Sequence, residues 1–155
     1  MKSIFVTAIL AIFAAAPALA EIVATQSIQK EIVAKSATGE IVRKLAPAER
    51  VTPGETVVYT LNYANKGARE VSDIVLVMPV PREVSFVEGS TTGDGSVAFS
   101  ADGGASYVAR GRLTVTENGE TRAARGDEIT HVRWTMTEPA APGAAGSVSF
   151  RAVVR

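Results

Sequence analysis

Thr52-Pro53-Gly54-Glu55, continued after Thr56 by Val57-Val58-Tyr59-Thr60-Leu61-Asn62-Tyr63-Ala64-Asn65-Lys66-Gly67, is the stretch that decides the fold. Pro53 presets φ for the first central position of a tight turn, and Gly54 accepts the positive φ that a type II turn requires at the second. Beyond the turn, Val57, Tyr59, Leu61 and Tyr63 recur with period two, and Thr60, Asn62 and Ala64 occupy the opposite face. This is the signature of a half-buried strand with one face in a core.

The pattern repeats along the chain. Val71 to Met78 is a β-branched apolar run broken by Asp73, stopped by Pro79 and Pro81, which cannot donate to a central ladder. Val84 to Val87 restarts the sheet, and Glu88-Gly89-Ser90 closes it. Thr92-Gly93-Asp94-Gly95, a strand at Val97 to Ser100, and Asp102-Gly103-Gly104 follow as hairpin punctuation. Leu113 and Val115 lead into the hairpin turn Asn118-Gly119, after which Ile129 to Met136 alternates, with Val132, Trp134 and Met136 on one face and His131, Arg133 and Thr135 on the other. Ala140 to Gly146 reads as a turn-rich linker, and Val148, Phe150, Ala152 and Val154 make a closing strand. No segment sustains a 3.6 period. Turn signals every eight to twelve residues or so imply an antiparallel β-sandwich.

The Val51-Thr52-Pro53-Gly54-Glu55-Thr56-Val57-Val58-Tyr59 wording, the Asn65-Lys66-Gly67 after it, the Trp134 strand, the Pro142-Gly143 turn and the alternating last strand resemble the secreted immunoglobulin-like conserved repeat domain, also called domain of unknown function 11. The resemblance covers about residues 45 to 155 and implies an immunoglobulin-like β-sandwich in a bacterial envelope or surface protein. The chain departs from that pattern in the insertion-like stretch Gly93 to Arg125 and in carrying a single copy.

Residues 1–20 read as a signal peptide. Lys2 supplies the positive n-region, Ile4 to Ala16 an apolar run short for a bilayer span, and Ala18-Leu19-Ala20 a small-x-small cleavage site that leaves Glu21 first in the mature chain. No cysteine follows for a lipid anchor, and no second apolar stretch reaches spanning length, so the expected product is exported, periplasmic or extracellular, and soluble, without an integral membrane anchor. Without Lys2 the mature chain holds 15 basic and 16 acidic residues. That balance argues against nucleic acid or an anionic membrane as partner. Zero cysteines also exclude thiolate catalysis, zinc thiolates and disulfide staples, so one hydrophobic core in residues 45–155 has to suffice.

Residues 21–44 read as an N-terminal β-prone arm or edge strands. Glu-Ile-Val occurs at 21–23, 31–33 and 40–42, with Ser36-Ala37-Thr38-Gly39 between the last two copies. Three residues are too few for a repeat architecture, so the motif is either coincidence in a β-prone segment or an arm whose edge pairs with another chain. On the second reading, residues 21–46 supply any self-association, with Lys30, Lys35, Arg43 and Lys44 discouraging indiscriminate pairing.

Catalytic and ligand chemistry finds little purchase. His131 is the only histidine and the only ready general base, yet it lies on the solvent face, and no Gly-x-Ser-x-Gly elbow accompanies it. Asp94 and Asp102 sit in glycine turns that each supply one carboxylate, too few for calcium, and Asp-Gly is itself a hairpin tip. Tyr59, Tyr63, Phe86, Phe99, Trp134 and Phe150 fall at core positions, leaving Tyr107 as the aromatic nearest to solvent. The expectation is therefore no catalytic, cofactor or metal residues, and a non-catalytic exported interaction or structural module whose partner is a protein or another cell-envelope component. Two alternatives stand beside it: a subunit of a fibre or surface assembly built by strand exchange, and a hydrolase assembled from Ser, Asp and His131.

Overall fold

A computed structural model describes residues 21–155; the expected leader, residues 1–20, lies outside them. Ten strands follow in order: β1 (Ile22–Lys35), β2 (Ile41–Pro47), β3 (Thr56–Asn65), β4 (Val75–Pro79), β5 (Val84–Phe86), β6 (Ser96–Ser100), β7 (Thr114–Glu117), β8 (Glu120–Ala123), β9 (His131–Thr135) and β10 (Ala145–Val154). The only helical pieces among the described residues are two short 3-10 turns, Arg110–Arg112 and Gly126–Glu128. One antiparallel sheet has the order β2-β1-β3-β10-β5, a second β4-β9-β6, and β7 and β8 form a ribbon. The protein is all-β, with open antiparallel sheets arranged as in a β-sandwich.

The Pro-Gly turn closes as its sequence requires. Glu55 donates its N–H to the Thr52 carbonyl at 3.1 Å, Gly54 sits at φ 91°, and the Glu55 carboxylate accepts the Thr52 N–H at 2.7 Å. From there β3 runs antiparallel between β1 and β10, so Tyr59 lies opposite both Ile28 and Phe150. Val57, Tyr59, Val148, Phe150 and Ala152 bury one face of the first sheet, and Leu76, Met78, Phe99, Val132 and Trp134 bury the facing side of the second. Phe150 stacks on its cross-strand neighbour Tyr59 at 5.0 Å within the first sheet, and Phe86 meets Phe99 of the second sheet edge-on at 5.3 Å. Tyr63 reaches Met136 across the sheets, its hydroxyl 3.8 Å from the sulfur.

Asn65 is a buried polar residue inside this apolar frame. It ends β3, donates from its side-chain amide to the carbonyls of Arg69 and Ala140, and accepts the Gly67 N–H. Its backbone N–H goes to the Ala144 carbonyl, and its carbonyl accepts from Gly143. The Asn65-Lys66-Gly67 turn is thereby sewn to the Pro142-Gly143 loop, 75 residues away from Asn65 at Ala140.

Two boundaries differ from the sequence pattern. The apolar run from Val71 does not form one strand: Asp73 takes φ 55°, Val71 forms a lone bridge to Ala140, and β4 starts at Val75. The Ile-Val pairs of the first two Glu-Ile-Val copies lie in a single strand of 14 residues, β1, and that of the third opens β2, so the motif marks no repeat.

Candidate interaction surface

β1 is longer than the sheet that receives it. Ile22 to Lys30 pairs with β3, but β3 begins at Thr56 and its register ends at Lys30↔Val57. From Gln29 onward β1 pairs with β2, through to Lys35↔Ile41. Residues 31–35 and 41–45 thus form a two-stranded ribbon that runs roughly 17 Å beyond the body at about 3.4 Å per residue. Ser36 closes its tip, donating its N–H to the Glu40 carbonyl at 2.8 Å and exchanging a hydroxyl bond with Thr38.

The base of the ribbon is anchored by charge. Glu31 is only 6% exposed and accepts from Arg43 at 2.9 Å, with Arg151 of β10 at 3.6 Å. On the other face Lys30 pairs with Glu55 at 3.3 Å. Glu55 titrates below the usual carboxylate range because it accepts the Thr52 N–H and faces Lys30. Beyond this anchor Val33, Ile41 and Leu45 are 60%, 62% and 51% exposed on one face, and Ile32 is exposed on the other. Apolar side chains lie on both faces because neither is covered: the facing sheet has three strands against five.

Other edges are treated differently. The 3-10 turn Gly126–Glu128 lies against β5, with the Gly126 backbone packed on the Phe86 carbonyl, where a Cβ would collide. Val108 covers β6 through paired bonds with Phe99, at 2.8 and 3.0 Å. The free edge of β4 spans five residues and ends in Pro79. Short, proline-ended or covered edges resist pairing; a projecting ribbon with apolar side chains invites it.

The residue types of the hydrolase alternative are partly brought together, but not into a reactive arrangement. Ser100 is fully buried and donates its hydroxyl to Asp102 at 2.6 Å, while His131 Nδ1 lies 3.2 Å from the Thr130 hydroxyl. No hydrogen bond links His131 to a serine or carboxylate among the described residues. Asp102 also accepts from the Ser106 hydroxyl and N–H, and these bonds hold its carboxyl far below the usual range. A carboxylate so stabilised is a poor base; it staples the turn from Ser100 to Ser106. Asp94 lies exposed between Gly93 and Gly95, and no group of three or more metal-ligating side chains occurs among the described residues. Tyr107 is half-buried under the Arg133 guanidinium, 4.3 Å from its ring centroid.

One cluster had no signal in the sequence pattern. Arg122 on β8 bonds Glu128 through both terminal nitrogens, at 2.7 and 2.8 Å, and also reaches Glu117 at 2.9 Å. Arg122 and the Arg125 N–H together hold Glu128 at about 2. These charges pin the β7–β8 ribbon to the body, a structural task. The spacing of Glu117, Arg122 and Glu128 is meaningful only once the hairpin is folded.

No family model matches the chain, and neither a curated protein nor a solved structure is similar to it. No helix among the described residues is long and apolar enough to cross a membrane.

Proposed function

We propose that the protein is a non-catalytic interaction module of the cell envelope, exported by cleavage after Ala20, and that the β1–β2 ribbon is its working surface. The observation that carries this reading is the ribbon itself, with two unpaired backbone edges and Val33, Ile41 and Leu45 exposed beyond the body, whereas the edges of β4, β5 and β6 are short or covered. The leader-like residues 1–20 and the resemblance of residues 45–155 to the secreted immunoglobulin-like conserved repeat domain support export and an immunoglobulin-like sandwich. The hydrolase alternative loses ground to the geometry of Ser100, Asp102 and His131, in which the serine serves the aspartate and the histidine faces a threonine.

The test compares the mature chain with an Ile41→Glu, Leu45→Glu variant as baits in an extract of the envelope that produces it. Both positions are exposed, so melting should stay unchanged while specifically retained components are lost. Retention by the variant equal to the parent's would remove the ribbon from the function.

A further inference from the structure

The Ser36 N–H bond to the Glu40 carbonyl fixes the phase of the ribbon. Antiparallel bonding alternates, so Glu40, Val42, Lys44 and Ala46 turn their backbone groups toward β1, and Ile41, Arg43 and Leu45 turn theirs to the free edge. Pro47 has no N–H and ends the pairing surface. Side chains alternate in the same way, placing Glu40, Val42 and Lys44 on one face. Glu40 and Lys44 are both exposed, and neither has an ion-pair partner among the described residues.

We propose that the free edge of β2 pairs with β2 of a second copy of this chain, antiparallel about a two-fold axis through Val42. The proposal rests on the reading of the ribbon as the working surface and names its partner. The bonding phase requires Ile41, Arg43 and Leu45 to face the same set, which leaves five axes, on Ile41, Val42, Arg43, Lys44 and Leu45; the last sets Arg43 against Pro47, which has no N–H to give to the ladder. An axis on Arg43 sets Arg43 against Arg43, and one on Lys44 sets Lys44 against Lys44; like charges directly opposite are unfavourable. An axis on Ile41 runs half of the ladder into the Ser36–Gly39 turn. The axis on Val42 alone sets Val42 against Val42, Ile41 against Arg43, and Glu40 against Lys44 twice over. It uses Glu40 and Lys44, neither of which has an ion-pair partner among the described residues, on each other. It also lies toward the tip, so the two bodies stand at opposite ends of the shared ribbon and the two sheets join edge to edge.

An isologous pair of this kind closes on itself and consumes the β2 edges, giving a dimer, whereas a heterologous contact would propagate. The chain has no cysteine, so single cysteines report the register without background. Across a non-hydrogen-bonded pair the Cα atoms lie about 4.5 Å apart, within disulfide reach. Val42→Cys should therefore oxidise to a covalent dimer at least about tenfold faster than Arg43→Cys or Lys44→Cys. By sedimentation, Lys44→Glu and Glu40→Lys should each weaken the dimer by about tenfold, and the double exchange should restore it, because only this register brings the two positions together. A monomer at every concentration tested, fastest cross-linking at 43 or 44, or a double exchange no better than the singles would each overturn the proposal. The functional reading fails separately. A monomer that still loses its envelope partners on Ile41→Glu, Leu45→Glu leaves that reading standing, and a Val42-centred dimer whose partners survive that variant removes it alone.

Discussion

Trp134 donates its indole N–H to the carbonyl of Thr92 at 3.1 Å from a position with no solvent exposure. The indole fills the space between the sheets, and its single polar atom ties the second sheet to the loop that crosses to β10, where Thr92 bridges Ser149. Trp134→Ala should cost about 3 to 5 kcal/mol through the cavity it leaves. Trp134→Phe keeps much of the volume and leaves the Thr92 carbonyl its bond from the Ser149 N–H, so it should cost only about 0.5 to 1.5 kcal/mol for the lost hydrogen bond. Denaturant unfolding gives both values, and the native protein should emit as a buried indole.

Asn65 predicts a polar counterpart. Its amide satisfies two carbonyls and its oxygen one N–H, so Asn65→Leu strips the Arg69 carbonyl and the Gly67 N–H of their partner, leaves the Ala140 carbonyl only the Val71 N–H, and should cost more than a single lost hydrogen bond, on the order of 3 kcal/mol. Asn65→Asp presents a carboxylate to the Arg69 and Ala140 carbonyls. Burial against acceptors raises the pKa of that carboxyl, so the variant should be most stable at low pH and lose stability as pH rises through the raised value. A melting curve that is flat with pH would show that the carboxylate finds another donor.

These two residues mark what was legible in the chain. Trp134 announced itself because Val132, Trp134 and Met136 alternate with polar neighbours, and period two is readable wherever one face is buried. The hairpin at Asn118-Gly119 was equally plain, and both residues take the left-handed conformation, at φ 53° and 83°. The role of Asn65 was not legible, since its partners at Arg69 and Ala140 come together only through folding. The projecting ribbon was half legible: the β-prone residues 21–46 stood out, but their outreach depends on where β3 begins, a fact of register. Asp73 interrupts the run from Val71 to Met78 in the sequence, but the pattern does not show that it turns left-handed and delays the strand to Val75.

Glycines at hairpin turns separate strain from collision. Gly103 sits at φ 75° in open space, so Gly103→Ala should cost only the left-handed penalty of about 1 to 2 kcal/mol. Gly95 has φ 95° and also backs onto the Thr135 carbonyl, where a Cβ cannot fit. Gly95→Ala should thus cost clearly more than Gly103→Ala in parallel unfolding titrations. Equal losses would mean that the β6 edge yields to the added methyl.

Glu128 sets the acid response. Its carboxyl is held at about 2, against 4.5 for an ordinary glutamate, first by the Arg122 guanidinium and then by the Arg125 N–H. A group with a depressed folded pKa contributes stability that is fully present above its unfolded value and is lost as pH falls through the folded one. The contribution is therefore constant above about pH 5 and fades between about 4.5 and 2. Glu128→Gln keeps the shape but not the charge, so its melting temperature should lie below the parent's at neutral pH and converge with it near pH 2. Because Glu128 bonds Arg122 on β8, hydrogen exchange at Glu120–Ala123 should quicken in the variant before the core strands change. Parallel curves for parent and variant across the acid range would assign the acid response to other carboxylates and leave this pair a surface ornament.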